Sequence, residues 1–351
     1  MTTVLEEFRL QARFCGEFGS RFTDELLAKA ADDIEKGGIC ARLTDGWQGN
    51  PRGDAVSLRL AGALHAAALT GRDAKLQAEY PDKRADWSME RVWPIARDFL
   101  EREESWVRDF MQSPPQTNET ARSTGLVSGF LWLSQFSPQP FHMLELGASA
   151  GLNLNWDRFA FAYPAWGRQN VPGPLMSTKV EGKAPPFMPI IVASRAACDQ
   201  NPLDYEDAEA RLRLRSYIWA DQTARLERLN AALDLARAQG HKVEKADAAE
   251  WVKRKLSGKL PGGTTVVYHS VFYQYPPKEV REAIASAIEE AGARTTNDAR
   301  LAWVRFEPES VIGGTRGSIR YVLNVVSWDK GKRSEATLAE VDPHGRFMTW
   351  L

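Results

Sequence analysis

The chain has 351 residues, 43% of them hydrophobic and 26% charged, with a formal net charge of −1. That balance excludes a mainly disordered or fibrous chain, and it gives no global positive field to hold nucleic-acid phosphates. Cys15, Cys40 and Cys198 lie far apart, which excludes a disulfide framework and an all-cysteine zinc site and suits a reducing cytoplasm.

The opening stretch, MTTVLEEFRLQARF, mixes charges and lacks the apolar core of a signal peptide, and the chain has no 18-residue apolar run. A cytoplasmic protein with neither membrane nor nucleic-acid partners is expected. Helical stripes come first: Leu5, Phe8, Ala12 and Cys15, then Phe14, Phe18, Phe22 and Leu26. Leu58, Ala61, Leu64 and Ala68 mark a further helix. Val92, Ala96, Phe99, Val107 and Phe110 mark one over 92–110, with Pro94 in its first turn, where proline costs least. The aromatic stripe reads as core. Residues 1–115 are thus expected to form an N-terminal helical region.

Helix 119–136 leads through Pro138 and Pro140 into a strand at 141–147. From there strands and helices alternate. Strands fall at 141–147, 190–198, 242–246, 264–272 and 301–306, with helices at 151–160, 206–239, 247–257 and 278–292. Such alternation predicts a mostly parallel sheet covered on both faces. Residues 164–189, rich in proline and glycine, break the rhythm and read as a flap over a small substrate. Strands at 319–328, 336–341 and 346–351 close the chain. The link from 307 to 319 is too short for a helical crossover, so 319–328 is expected to run antiparallel. The α/β part is placed at 116–351.

The sharpest motif is Glu145-Leu-Gly147-Ala-Ser149-Ala-Gly151, which ends a strand and opens the predicted helix. Glycines there let a ligand approach the backbone, and a helix start presents free N–H groups. Methyltransferases that use S-adenosylmethionine carry an acidic residue and Gly-x-Gly-x-Gly at this place. Glu145, Gly147 and Gly151 match, and Ser149 replaces the middle glycine. The ligand is a cation, so nearby carboxylates suit it. The same residues also read Gly-x-Ser-x-Gly, a nucleophile elbow. A hydrolase built on Ser149 would draw on Glu307 and His344. Against it stand the long helical lead, the missing oxyanion segment and a charge on Glu145 beside the oxyanion.

Ligands of open parallel sheets sit beyond the carboxyl ends of the strands. Asp199 follows the second strand, where a carboxylate holds ribose hydroxyls. Asp247 follows the third, placed either for an adenine amino group or as a helix cap. His269 and Tyr273, at the end of the fourth, are the candidates to face the reacting group, and a histidine titrates near neutrality. Glu307 closes the fifth. An 18-residue helix spans roughly 27 Å and a seven-residue strand roughly 23 Å, so helix 119–136 must start at the ligand edge. That start brings Asn118 and Arg122 into the binding set. His344, in a Pro-His-Gly turn, is expected at the same edge but several strands away. No metal-ligand spacing stands out.

The phrases QTNETARSTGL, LELGASAGLNLNWDRF, CDQNPLD, YIWADQTARLERLNAAL, VVYHSVFYQY and DPHGRFMTWL together resemble the bacterial domain-of-unknown-function family 2332 over nearly the whole chain. The resemblance implies a methyltransferase-like, Rossmann-like α/β fold and carries no established reaction. The expectation is therefore an S-adenosylmethionine-binding protein acting on a small molecule. A serine hydrolase and a non-catalytic binding protein are the alternatives.

Overall fold

The structure is a computed structural model that describes residues 2–163, 173–183, 185 and 188–351. Its helices are α1 (Val4–Glu17), α2 (Arg21–Glu35), α3 (Ile39–Thr44), α4 (Val56–Thr70), α5 (Ala74–Glu79), α6 (Met89–Arg102), α7 (Glu104–Met111) and α8 (Ser123–Leu133), followed by α9 (Ala208–Ser216), α10 (Thr223–Gln239), α11 (Ala248–Leu256) and α12 (Lys278–Gly292). The strands are β1 (Phe141–Leu146), β2 (Ala160–Phe161), β3 (Leu175–Met176), β4 (Lys179–Glu181), β5 (Val192–Asp199) and β6 (Glu244–Lys245), then β7 (Gly263–Ser270), β8 (Ala299–Pro308), β9 (Tyr321–Asp329), β10 (Lys332–Val341) and β11 (Phe347–Trp350). The chain divides into two compact units, Met1–Thr117 with Glu206–Asn230, and Asn118–Tyr205 with Ala231–Leu351.

The first unit is helical. Thr3 and Glu6 close a reciprocal capping box at the start of α1: the Glu6 N–H donates to Thr3 Oγ1 (3.2 Å) and the Thr3 N–H to Glu6 Oε2 (2.8 Å). Phe8, Phe22, Leu64, Val92 and Phe99 meet in its core. The aromatic stripe is only partly core. α1 ends at Glu17, so the four-residue spacing does not continue, and Phe14 stays 40% exposed while Phe22 and Leu26 are buried. Two expectations change. Helix 92–110 starts at Met89 and breaks at Glu103, which puts Pro94 beyond the first turn of α6. Helix 206–239 is broken between Ser216 and Thr223, where Asp221 accepts from the Ser20 hydroxyl (2.6 Å) and the Phe22 N–H (2.9 Å).

The second unit holds a nine-stranded sheet in the order β4-β11-β10-β9-β8-β7-β1-β5-β6. β6, β5, β1, β7 and β8 are parallel. The chain starts in the middle with β1, moves outward through β5 and β6, and returns to β7 and β8. The direction of winding therefore reverses between β1 and β7, which leaves a crevice at their carboxyl ends. β9 runs antiparallel to β8, as expected from the short link, with Pro308 opposite Tyr321. The antiparallel part is broader than an edge: β10 pairs with β9, β11 with β10, and β4 joins β11 in parallel. Much of the proposed flap at 164–189 lies outside the described residues. Its described part contributes β3 and β4, so it is not free of regular structure.

α8 packs closely on one face because Gly125 and Gly129 carry no side chain. A Cβ at either would come within 2.9 Å of Phe306 Cδ1 or Val304 Cγ1. The opposite face is apolar: Val267 and Trp303 pack with Trp251, Val252, Ile284 and Ile288 of α11 and α12. Among the described residues, no helix is long and apolar enough to cross a membrane.

A candidate functional site at the carboxyl edge of β1 and β7

Residues 147–151 make a bend held by three left-handed residues, Gly147 (φ 64°), Ser149 (φ 54°) and Gly151 (φ 72°). Such a φ is uncommon for serine and belongs to tight turns or functional sites. The bend leads into 3-10 turns over Leu152–Arg158, not the predicted α-helix at 151–160. The cause is a competing donor: Arg195, on β5, gives Nη1–H to the Leu154 carbonyl (2.7 Å) while pairing bidentately with Asp157 (2.7 and 2.8 Å). Asn155 leaves the helical region (φ −109°, ψ 16°).

Most of the N–H groups along the bend are already spent. Ala148 donates to Cys198 O (3.1 Å), Ser149 to Asp199 Oδ2 (2.8 Å), Gly151 to Ala148 O (2.8 Å) and Leu152 to Asn118 Oδ1 (3.0 Å). The bend is therefore no phosphate nest. Asp199 also accepts from Asn201 N–H through Oδ1 (2.8 Å), leaving a lone pair on each oxygen. Phe272 packs so tightly on Gly147 that a Cβ there would overlap its ring. The face of Gly147 is thus closed to a ligand, contrary to the sequence reading.

Further along, polar atoms are buried and unspent. Ser149 Oγ, Asn153 Oδ1 and both side-chain polar atoms of Asn155 have no hydrogen-bond partner. Asn153 Nδ2 reaches only the Glu119 carbonyl (3.3 Å). Buried polar groups are nearly always paired, so this cluster marks a place for a ligand or ordered water. The motif itself gives no reason to single out Asn153 and Asn155. The signal lies beyond it, in two polar residues alternating with Leu152 and Leu154.

Glu145 does not act as a surface carboxylate. It is 3% exposed, accepts from the Tyr268 hydroxyl (3.2 Å), and burial pushes its pKa up to about 8. It is mostly neutral at pH 7 and is no counter-ion for a cationic ligand. Its folded value lies above its ordinary 4.5, so the folded form holds the extra proton between those values. Stability must then fall as pH rises through that window. Glu145→Gln is expected to melt higher, relative to the native chain, at pH 9 than at pH 5, by on the order of a few kcal/mol in stability. Equal differences at the two pH values would refute this.

Asp247 caps α11, accepting from Ala249 (2.9 Å) and Glu250 (3.1 Å) through Oδ1; Oδ2 makes neither bond. β7 ends at Ser270, earlier than expected, because Val271 is left-handed (φ 53°). A β-branched residue in that region is strained. His269 is fully buried. Nδ1 lies 2.6 Å from Glu307 Oε1, and Nε2 accepts the Trp303 indole N–H (3.0 Å). The indole can only donate, so the proton sits on Nδ1 and points at Glu307. Both nitrogens are engaged within the protein. Tyr273 stacks on His269 (5.1 Å between centroids) and donates its hydroxyl to the Arg281 carbonyl (2.6 Å), so it too faces inward. His269 thus holds Glu307, and Tyr273 packs against His269.

Arg122 lies at the expected edge, but on a 3-10 turn (Thr120–Arg122) ahead of α8, not in a helix running 119–136. Nε donates to Pro343 O (2.8 Å) and Nη1 to Ser270 O (3.3 Å), tying the Pro-His-Gly turn to the tip of β7. His344 therefore comes closer to this tip than strand counting suggested. Burial lowers the Arg122 pKa, against the opposing influence of Glu119, Tyr275, Glu307 and Tyr321. The hydrolase reading loses its geometry: Glu307 pairs with His269, and Ser149 Oγ has no hydrogen-bond partner. Among the described residues, no group of three or more His, Cys, Asp or Glu gathers to hold a metal ion.

Fold and site together define a mixed α/β protein with a large, mostly parallel sheet, N-terminal helices and buried unpaired polar side chains near its winding reversal. Residues 5–350 match the domain-of-unknown-function family 2332, described as uncharacterized proteins conserved in bacteria, and the chain belongs to that family. Neither the curated proteins nor the solved structures gave a match.

Proposed function

We propose that the second unit binds S-adenosylmethionine at the β1 bend and methylates a small molecule. One observation carries the reading: the unspent buried polar atoms of Ser149, Asn153 and Asn155 beside a glycine bend at the winding reversal. The central strand order and the antiparallel partner beyond β8 support the methyltransferase-like fold that the family resemblance implies. The residues fit this ligand along 149–155 and not at Gly147, which Phe272 covers.

Asp199 would receive ribose hydroxyls on its remaining lone pairs, while its bonds to Ser149 and Asn201 hold it in place. Asp247 Oδ2 would receive an adenine amino group. Asn153, Asn155 and Ser149 would satisfy the polar methionine portion. When bound, this ligand supplies an electrophilic methyl group. The chain's part is alignment of the acceptor, which is worth far more than any single contact.

Calorimetric titration with S-adenosylhomocysteine tests the reading. One site per chain is expected, and Asp199→Asn should weaken binding by at least about 10-fold, the value of one charge-assisted hydrogen bond. No heat, together with no rise in melting temperature at saturating ligand, would discard it.

A further inference from the structure

We propose that the tip of β7 is the acceptor site and takes an α-amino acid, with its carboxylate on Arg122 and its ammonium on Glu307. The amino-acid binding stands without the cofactor reading; only its role as methyl acceptor rests on that reading.

The argument begins with two opposite charges that do not pair. Arg122 gives hydrogen bonds only to the carbonyls of Pro343 and Ser270, and among the described residues no carboxylate lies within ion-pair distance of it. Glu307 is 0% exposed. Its Oε1 takes the His269 Nδ1 proton (2.6 Å) and the Phe272 N–H (2.8 Å), while Oε2 is buried with no partner. A buried carboxylate oxygen without a donor is costly and rare in a folded protein.

The two charges grip the two ends of one three-residue stretch. Arg122 holds the Ser270 carbonyl, Glu307 holds the Phe272 N–H, and the strained Val271 lies between. The Val271 N–H is fixed on Phe306 O (2.8 Å). Strain of this kind persists only where neighbours over-determine it. Tyr321 and the 73%-exposed Tyr275 stand near Arg122.

The charge pattern selects the ligand. A simple anion would satisfy Arg122 and be repelled by Glu307. A simple cation would do the reverse. A zwitterion that carries both charged groups on one carbon satisfies both without bringing net charge into the site. An ammonium supplies the donor that Oε2 lacks, and a carboxylate accepts from the guanidinium edge.

Calorimetry on the native full-length chain with each common L-α-amino acid decides the matter. At least one should bind. N-acetylation or methyl esterification of that amino acid should each weaken binding by about 10-fold or more. Arg122→Gln and Glu307→Gln should do the same to the unmodified amino acid, and the blocked ligands decide should either variant not fold. No binding at about 10 mM of any amino acid, or equal binding of the blocked forms, overturns the proposal. Displacement by S-adenosylhomocysteine would give these charges to the cofactor's own end and overturn the acceptor assignment. Amino-acid binding in a protein that ignores S-adenosylhomocysteine keeps this site and removes the cofactor reading.

Discussion

His269→Leu is expected to cost roughly 3–5 kcal/mol of stability, the range for breaking a buried charged network by removing one partner. The side chain fits by volume, so the loss is polar. Glu307 Oε1 would keep only the Phe272 N–H, and the Trp303 indole N–H would be left without an acceptor in a fully buried place. Each stranded group costs about 1–3 kcal/mol. Glu307→Gln is the instructive contrast, since an amide oxygen still accepts from both His269 and Phe272; its cost should be near 1 kcal/mol. Urea unfolding of the three chains, with unchanged slopes, measures the difference. A His269→Leu midpoint equal to the native one would show that the histidine does not hold Glu307.

The second large effect concerns Gly147→Ala. Two penalties coincide there. The backbone sits at φ 64°, where a Cβ costs roughly 1–2 kcal/mol. The new atom would also overlap the Phe272 ring, and overpacking of that kind costs about 1–3 kcal/mol. Together they amount to about 2–5 kcal/mol, several degrees or more in melting temperature. The terms separate in a double-mutant cycle with Phe272→Ala, which should recover the steric part and leave the backbone part. If Phe272→Ala recovers nothing, the ring is not what closes this face of the bend.

The sequence made the sheet readable because its strands are apolar and separated by helices of ordinary length. The run 264–272 announced β7, and the short link before 319 announced the antiparallel β9. Asn118 and Arg122 do reach the carboxyl edge of β1 and β7, but the 18-residue helix from which that place was argued is α8, of 11 residues, preceded by a 3-10 turn. What failed were effects that depend on distant donors. Arg195 turns the residues after Gly151 into 3-10 turns, and Asp221 interrupts the long helix predicted at 206–239. His269 read as a base because its nearest neighbours in sequence say nothing of Trp303 and Glu307, which reach it across the sheet. Asp199 looked free for a ligand because nothing local in the sequence shows that the Ser149 N–H, 50 residues away, donates to it; Asp247 caps α11, one of the two roles its place allowed.

The far border of the sheet has a consequence for how the chain assembles during synthesis. Lys179 pairs with Phe347, and the Thr178 hydroxyl donates to the Gly345 carbonyl (2.7 Å). A ribosome delivers residues 178–181 long before it delivers their partners, and pairing across such a separation in sequence is slow. Residues 178–181 therefore cannot take their place in the sheet before residues 345–349 have been synthesised.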